Sequence, residues 1–227
     1  MRKVIIVSGA NRGLGKALVD LSLQSQNTLV ISISRSLHDD HKSFSIDQLA
    51  FLKYDLSTPF DLKKIQLINK LIGPYDFIYF FNNAGVIDPI NEVGKFSSLD
   101  IEVSIRVNIE FPVNFINYLL NTYSNNRIKV INITSGAGNR GIANWSLYCA
   151  AKAYMKHFLA VLELENKEST NISFLSVDPG VMNTSMQNKI RNSSFPDIKQ
   201  FEKLKELNKL IEPKESARKI FDLIYLE

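Results

Sequence analysis

Cysteine is almost absent from this sequence, which contains Cys149 alone among 227 residues. An internal disulfide is therefore excluded, and so is a metal site built from a cluster of Cys and His. A single free cysteine fits a reducing compartment.

Long apolar runs are absent as well. The segment after Met1-Arg2-Lys3 is apolar only over Val4–Val7, which is too short for a secretory signal and has no small-residue cleavage site after it. No apolar stretch approaches the ~20 residues that span a bilayer. We therefore expect a cytoplasmic protein without a membrane partner.

Charge of one sign is only slightly in excess, with 27 Lys and Arg against 23 Asp and Glu. The basic residues are scattered rather than clustered, which argues against a nucleic-acid partner. Repeats, low-complexity segments and Pro/Gly-rich linkers are also missing. The length and the 45% hydrophobic content fit one domain over residues 1–227 with a substantial core.

Short β-branched runs alternate with longer helical patterns. Strands of such continuous apolar character are typical of a parallel sheet covered on both faces, and the alternation predicts an α/β doubly wound sheet. The predicted strands are Val4–Ser8, Thr28–Ser34, Leu49–Tyr54, Asp76–Phe81, Arg127–Thr134 and Asn171–Val177, and the predicted helices are 14–26, 59–72, 98–123, 146–167 and 213–225.

Residues 181–211 break this alternation, since apolar residues are spaced among polar ones without a clear strand. Ligands of doubly wound sheets bind outside the carboxyl ends of the strands, and this segment emerges there. We expect it to cover the substrate.

The first predicted strand leads into the glycine-rich loop Gly9–Gly15 and then a helix. Glycines in such a loop allow a tight turn and close approach of a pyrophosphate, and the helix N-terminus attracts the anion. The spacing is G-x-x-x-G-x-G rather than the common G-x-G-x-x-G. Taken alone, the motif is also compatible with a glycine-rich turn that binds nothing.

The second predicted strand ends at Ser34, followed by Arg35, where NAD-binding sites usually have an acidic residue. An arginine binds a 2′-phosphate bidentately, whereas a carboxylate repels it. Arg12 in the glycine loop is a second candidate contact. The pattern favours NADPH over NADH, although Arg35 as an ordinary surface cation is the alternative.

Tyr148 and Lys152 lie four residues apart in a helical pattern, which places them one turn apart on one face. An ammonium group beside a phenol is expected to lower the tyrosine pKa from ~10 toward the working pH of a general acid or base. A surface pair is the plain alternative, because this spacing is common by chance.

Three further polar sites accompany this pair. Ser135 ends the fifth strand, Asn82-Asn83-Ala84-Gly85 ends the fourth, and Asn108 interrupts an apolar helical pattern. A serine at a carboxyl strand end can hold a substrate oxygen, and a mid-helix Asn can disturb the backbone ladder. Each also has a structural alternative as a turn former or a satisfied helix residue.

Together these residues resemble the classical short-chain dehydrogenases/reductases. The resemblance extends over residues 4–184, in the order and spacing of that family. It is carried by the Gly9–Gly15 loop, Asp55, Asn82–Gly85, Asn108, Ser135, Tyr148-x-x-x-Lys152 and Asp178-Pro179-Gly180-Val181-x-x-Thr184.

The resemblance implies a Rossmann-type sheet and a catalytic set. Tyr148 would protonate a carbonyl oxygen held by Ser135, Lys152 would bind the nicotinamide ribose, and Asn108 would anchor a proton-relay water. The implied cofactor-binding residues are Gly9, Asn11, Arg12, Gly13, Leu14, Gly15, Ser34, Arg35, Asp55, Leu56, Asn83, Ala84, Gly85, Tyr148, Lys152, Pro179, Gly180, Val181 and Thr184; no metal is expected.

Within that family, the segments Asn144–Lys152 and Met186-Gln187-x-x-Ile190-Arg191-x-Ser193-Ser194 resemble sepiapterin reductases and the benzil reductases that form (S)-benzoin. This likeness implies NADPH-dependent reduction of a bulky or aromatic vicinal dicarbonyl. Apolar residues expected to line the substrate are Trp145, Met182, Met186 and Phe195, with packing of the covering segment as their alternative role.

Two departures from the family pattern qualify the resemblance. Ser8 replaces the usual threonine before the loop, and no seventh strand follows the helix at 213–225. A six-stranded sheet of order 3-2-1-4-5-6 and a homodimer through the helices near 98–123 and 146–167 are therefore expected. A 3-oxoacyl thioester reductase and a non-catalytic dinucleotide-binding regulator are the rival functions.

Overall fold

The computed structural model describes residues 2–73 and 76–225, so five residues of the predicted domain 1–227 lie outside the described residues. Six parallel strands form one sheet in the order β3-β2-β1-β4-β5-β6, as predicted. The strands are β1 (Lys3–Ser8), β2 (Thr28–Ser34), β3 (Leu49–Lys53), β4 (Phe77–Asn82), β5 (Arg127–Ile133) and β6 (Ile172–Val177).

Helices cover both faces of this sheet, which explains why its central strands are apolar at nearly every position. Along β1, Val4 and Ile6 face one core while Ile5 and Val7 face the other, and all four are buried. The helices are α1 (Gly13–Ser22), α2 (Leu62–Ile65), α3 (Ser98–Ile105), α4 (Phe111–Thr122), α5 (Ser146–Glu165), α6 (Ser185–Arg191), α7 (Ile198–Glu206) and α8 (Pro213–Tyr225).

The two cores divide the helices between the faces of the sheet. Residues of α2, α4 and α5 pack against one face, where Phe115 and Leu159 are almost fully buried. Residues of α1 and α8 pack against the other face, with Leu18 and Ile220 at their centre. The carboxyl ends of all six strands consequently lie at one edge, between the two layers.

Two predicted helices are less regular than their sequence patterns indicated. The predicted helix 59–72 is only the short α2 followed by a 3-10 turn over Gln66–Lys70. The predicted helix 98–123 is α3 and α4 joined by a π-helical turn over Arg106–Glu110. Pro112 lacks an N–H and therefore cannot continue the regular bonding ladder, which favours the wider turn before it.

The segment 181–211, expected to cover the substrate, contains α6 and α7. Met182 forms an isolated bridge with Ile211, which closes the segment at its base. The Lys189 ammonium lies 2.5 Å from the Asp88 carboxylate and ties α6 to the loop after β4. Within the described ranges, no helix is both long and apolar enough to cross a membrane.

Candidate active site at the carboxyl edge of the sheet

The glycine loop between β1 and α1 is packed too tightly for side chains. Gly9 has a φ of +67°, and a Cβ added to it would lie 3.0 Å from the Ala84 Cα. A Cβ added to Gly15 would lie 2.2 Å from the carbonyl oxygen of Gly9. The glycines therefore let the backbones of the loop and of β4 approach each other closely.

The N-terminus of α1 opens beside this loop. Arg12 occupies the N-cap position without a side-chain cap, and the first turn has no acidic residue. The Asn83 side chain holds the loop by donating to the Ser8 carbonyl at 2.9 Å. The Ser8 hydroxyl, in the place of the family's usual threonine, accepts from the backbone N–H groups of Asn83 and Ala84, each at 3.1 Å.

The Gly9–Gly15 loop fits the diphosphate of a dinucleotide, because its glycines carry no side chains and the N–H groups of the first turn of α1 have no side-chain partner. Thr184 lies across the loop, since a Cβ placed on Gly13 would be 3.5 Å from the Thr184 methyl group. The structure thus brings this predicted cofactor-binding residue to the glycine loop, although 171 residues separate the two.

The second predicted part of the cofactor site follows β2. Arg35 and Arg12 are both exposed, and Asn11 in the glycine loop donates to the Ser36 hydroxyl at 3.1 Å. The Ser34 hydroxyl donates to the Ser36 carbonyl at 2.8 Å, so this turn is fixed.

Asp55 follows β3 and accepts from the backbone N–H and the hydroxyl of Ser57, at 3.0 and 2.7 Å. Those hydrogen bonds, together with Arg35, hold the pKa of Asp55 below its usual value. Leu56, the next residue, is buried in the sheet core and therefore presents little side-chain surface to a ligand.

Helix α5 presents Tyr148 and Lys152 to the same site, one turn apart, and both side chains are buried. The side chain of Tyr148 interacts with that of Ser135, which follows β5. The Lys152 ammonium donates to the Ile133 carbonyl at 2.8 Å and lies 5.7 Å from the centre of the Tyr148 ring. These three predicted catalytic residues are therefore brought together.

Burial controls the protonation of this pair. It raises the pKa of Tyr148 to about 12, while the interaction with the Ser135 side chain opposes that rise. It lowers the pKa of Lys152 to about 8, against the attraction of Asp178. The net shift of the Tyr148 pKa is therefore upward rather than downward as expected, because desolvation of the phenolate is its largest cause.

Asn108 lies in the π-helical turn, and its side chain is held by the backbone of the loop after β4. Its Nδ2 donates to the Val86 carbonyl at 2.9 Å, and its Oδ1 accepts from the Val86 N–H at 3.0 Å. Gly85 separates it from the catalytic pair, since a Cβ there would lie 3.4 Å from Asn108 Oδ1 and 3.8 Å from Lys152 Nζ. The fourth predicted catalytic residue thus joins the other three.

Asp178 was not predicted as a site residue, although its charge acts on both Tyr148 and Lys152. It follows β6, and its Oδ1 accepts from the Gly180 N–H at 2.9 Å. Its position at the carboxyl end of a strand was the signal that could have identified it. The adjoining Pro179 carbonyl is fixed by the Ser216 hydroxyl of α8 at 2.8 Å, while Val181 is partly exposed.

An aromatic cluster closes the site beneath α6 and α7. The Trp145 ring lies edge-on to Tyr148, with their centres 6.0 Å apart, and packs against Phe195 and Phe201 at 5.5 and 5.1 Å. We call this group the lid cluster; it comprises Ile87, Ala137, Trp145, Tyr148, Ile190, Phe195 and Phe201, with Met186, Ile90, Ile142, Cys149 and Ile198 packed against it.

The predicted apolar wall is therefore divided. Trp145, Met186 and Phe195 belong to the lid cluster, but Met182 packs against the core on the α1/α8 face of the sheet. Its bridge with Ile211 draws it to the base of the covering segment. Met182 is not part of the wall that the other three form.

The geometry defines the chemistry available at this edge. At neutral pH a phenol with a raised pKa keeps its proton, so Tyr148 has a proton to donate to an oxygen. Ser135 can hold the same oxygen, and the buried ammonium of Lys152 supplies positive charge beside it. The aromatic wall favours a large, flat and apolar reactant.

Comparison with known proteins agrees with this geometry. The family described as short chain dehydrogenase matches residues 3–194. Benzil reductase ((S)-benzoin forming) of Bacillus subtilis is 30% identical over 210 residues, covering 91% of this chain and 85% of the relative. Sepiapterin reductase of Rattus norvegicus is 26% identical over 244 residues, covering 97% and 90%.

Solved structures share the fold over nearly the whole chain. The crystal structure of the KRED1-Pglu enzyme superposes with a TM-score of 0.82 at 27% identity, and the alignment covers 95% of this chain and 91% of that one.

Proposed function

The chain belongs to the short-chain dehydrogenase/reductase family of oxidoreductases, and on that premise we propose that it is an NADPH-dependent carbonyl reductase whose substrate is a bulky or aromatic vicinal dicarbonyl. The observation that carries the proposal is that Ser135, Tyr148 and the buried Lys152 meet beside the aromatic lid cluster.

The residues of the site have distinct roles in such a reduction. A nicotinamide dinucleotide, when bound, supplies the hydride. The carbonyl oxygen of the substrate accepts hydrogen bonds from Ser135 and Tyr148, and Tyr148 transfers its proton to that oxygen. Lys152 stabilises the negative charge left on the phenol, and Asn108, held rigidly by Val86, lies where it can anchor a water that returns the proton.

The preference for NADPH rests on the turn after β2. Arg35 is exposed at the end of that strand, in the position where an acidic residue would repel a 2′-phosphate. Arg12 is exposed beside it in the glycine loop, and the Asn11–Ser36 hydrogen bond holds the two segments together. Two exposed arginines on segments that hydrogen-bond to each other favour a phosphorylated ribose.

The proposed substrate class rests on the lid cluster and on the relatives named above. Trp145 offers aromatic contact directly beside the proton donor, and Phe195 and Phe201 pack against Trp145. Benzil carries an aromatic ring on each of its two adjacent carbonyls, and sepiapterin combines a fused ring with a ketone and a hydroxyl on neighbouring carbons. Flat substrates of this kind match the wall in both size and polarity.

The proposal extends to a cytoplasmic homodimer formed through α3 and α4, which span the predicted helix 98–123, and through α5. Helices α3 and α5 expose large apolar side chains, among them Leu99 at 65% and Leu164 at 74%. Light scattering during gel filtration tests this part directly. A dimer that dissociates when Leu99 and Leu164 are replaced by Lys supports it, and a monomeric wild-type protein refutes it.

Oxidation of NADPH, followed at its absorbance band, tests the activity. Benzil, sepiapterin and an acetoacetyl thioester serve as parallel substrates, with NADH as the control cofactor. Reduction of benzil or sepiapterin with NADPH supports the proposal. Preference for the thioester makes the protein a fatty-acid type reductase, and no reduction of any carbonyl despite NADPH binding favours a regulatory role.

A further inference from the structure

Gln187 is the one buried residue of the covering segment whose entire polar end lacks a partner within the described residues. Its side chain is 3% exposed, yet neither the amide nitrogen nor the amide oxygen has a hydrogen-bond partner. Its backbone N–H is engaged by Thr184, at the start of α6. Buried amides are normally hydrogen-bonded, so this amide is free to bind something else.

Gln187 lies on the side of α6 that packs onto the rest of the protein. Gln187 and Ile190 are three residues apart and form the buried side of the helix, whereas Asn188 and Lys189 are exposed. Ile190 belongs to the lid cluster together with Tyr148. The exposed Lys189–Asp88 ion pair lies on the outer side of the same helix.

Two other unpartnered donors lie in the same region, and neither matches Gln187. The Trp145 Nε1–H is buried, but the ring is held among three aromatic neighbours that determine its orientation. The Arg191 Nη1 is also unpartnered, but that side chain is only half-buried and its Nη2 donates to Asn188 at 3.3 Å. The Gln187 amide alone combines complete burial, a donor and a flexible stem.

We propose that Gln187 is a specificity-determining residue that donates a hydrogen bond to the second carbonyl oxygen of a vicinal dicarbonyl, the oxygen that Tyr148 does not protonate. This inference rests on the proposed function and makes it more specific. A polar group placed in an otherwise apolar wall selects for a substrate that carries a matching oxygen, because an analogue without it leaves the amide unpaired.

A matched pair of ligands tests the inference. Benzil and deoxybenzoin have the same two phenyl rings and the same chain, and differ only in that a methylene replaces the second carbonyl. Trp145 is the only tryptophan in the chain and lies in the lid cluster, so quenching of its fluorescence reports binding in the presence of NADP⁺ without turnover.

The variant is Gln187→Met, which keeps the length of the side chain and removes its donor. The control is Gln200→Met on α7, where the glutamine is exposed. The wild type and the control should bind benzil about tenfold more tightly than deoxybenzoin, and Gln187→Met should bind the two alike, by weakening benzil alone. The ratio of the two kcat/KM values should change in the same way.

The outcomes separate this inference from the proposed function. Equal affinity of the wild type for both ligands, or an equal loss for both in Gln187→Met, overturns the role of Gln187 even if ketones are reduced. Discrimination in binding that disappears in the variant supports the role even if no carbonyl is reduced, in which case the proposed activity alone is refuted.

Discussion

Lys152 carries a positive charge into the protein interior, so its removal should change how stability depends on pH. The perturbation is Lys152→Met, which keeps the length of the side chain. Burial lowers the pKa of Lys152 from 10.5 to about 8. The folded state therefore releases this proton at a lower pH than the unfolded state does.

The sign follows from proton linkage. Between pH 8 and 10.5 the unfolded chain binds more protons at this position than the folded protein, so wild-type stability rises with pH in that window. The destabilisation is fully present below pH 8 and amounts to about 3 kcal/mol. The variant should recover this stability because it lacks the charge. It also loses the hydrogen bond to the Ile133 carbonyl, which offsets about 1 kcal/mol of the recovered stability.

Urea denaturation at several values from about pH 7 to about pH 9.5 measures this effect, in a range below the raised pKa of Tyr148. The free energy of unfolding of the variant minus that of the wild type should decrease by about 2 kcal/mol as the pH rises across this range. Lys156→Met is the control, because that lysine lies one turn further on the same helix and is exposed. A difference between Lys152→Met and wild type that does not vary with pH would refute the buried-charge reasoning.

Three further predictions concern the cofactor site and the acid. Arg35→Asp should lower kcat/KM for NADPH by about 10-fold or more and improve it for NADH, because a carboxylate repels the 2′-phosphate; an unchanged ratio would assign that contact to another residue. Gly15→Ala should weaken NADPH binding and lower the melting temperature, since its Cβ would lie 2.2 Å from the Gly9 carbonyl oxygen, whereas Gly141→Ala meets nothing within 4 Å and serves as the control in calorimetry. Tyr148→Phe should bind NADPH nearly as tightly as the wild type does, while turnover falls by about 10²-fold or more. Fluorescence titration measures the NADPH affinity.

Much of the sheet could be predicted because its strands are buried on both faces. A run such as Val4–Val7 has few alternatives when every residue is apolar and a glycine loop follows. The helices were harder to predict. The apolar spacing of 59–72 is equally compatible with one continuous helix and with the short α2 followed by a 3-10 turn. The π-helical turn at Asn108 depends on Pro112 and on the backbone of Val86, and the latter contact is not encoded locally.

The site residues could be named from spacing, but their electrostatics could not. The pattern places Tyr148 beside Lys152, yet the direction of each pKa shift depends on burial, which the spacing of the two residues does not reveal. Met182 was grouped with Trp145 because both are apolar and near the site in sequence. Its actual position follows from the bridge to Ile211, which apolar spacing does not reveal.

The most direct test of the central claim is NADPH oxidation with benzil by the wild type, by Tyr148→Phe and by Tyr154→Phe, whose tyrosine is exposed on the same helix. We predict benzil-dependent oxidation of NADPH by the wild type and by Tyr154→Phe. In Tyr148→Phe we predict loss of turnover with retained NADPH binding. Near-normal turnover by Tyr148→Phe would remove the phenol from the mechanism and contradict the proposed role of Tyr148 as the proton donor.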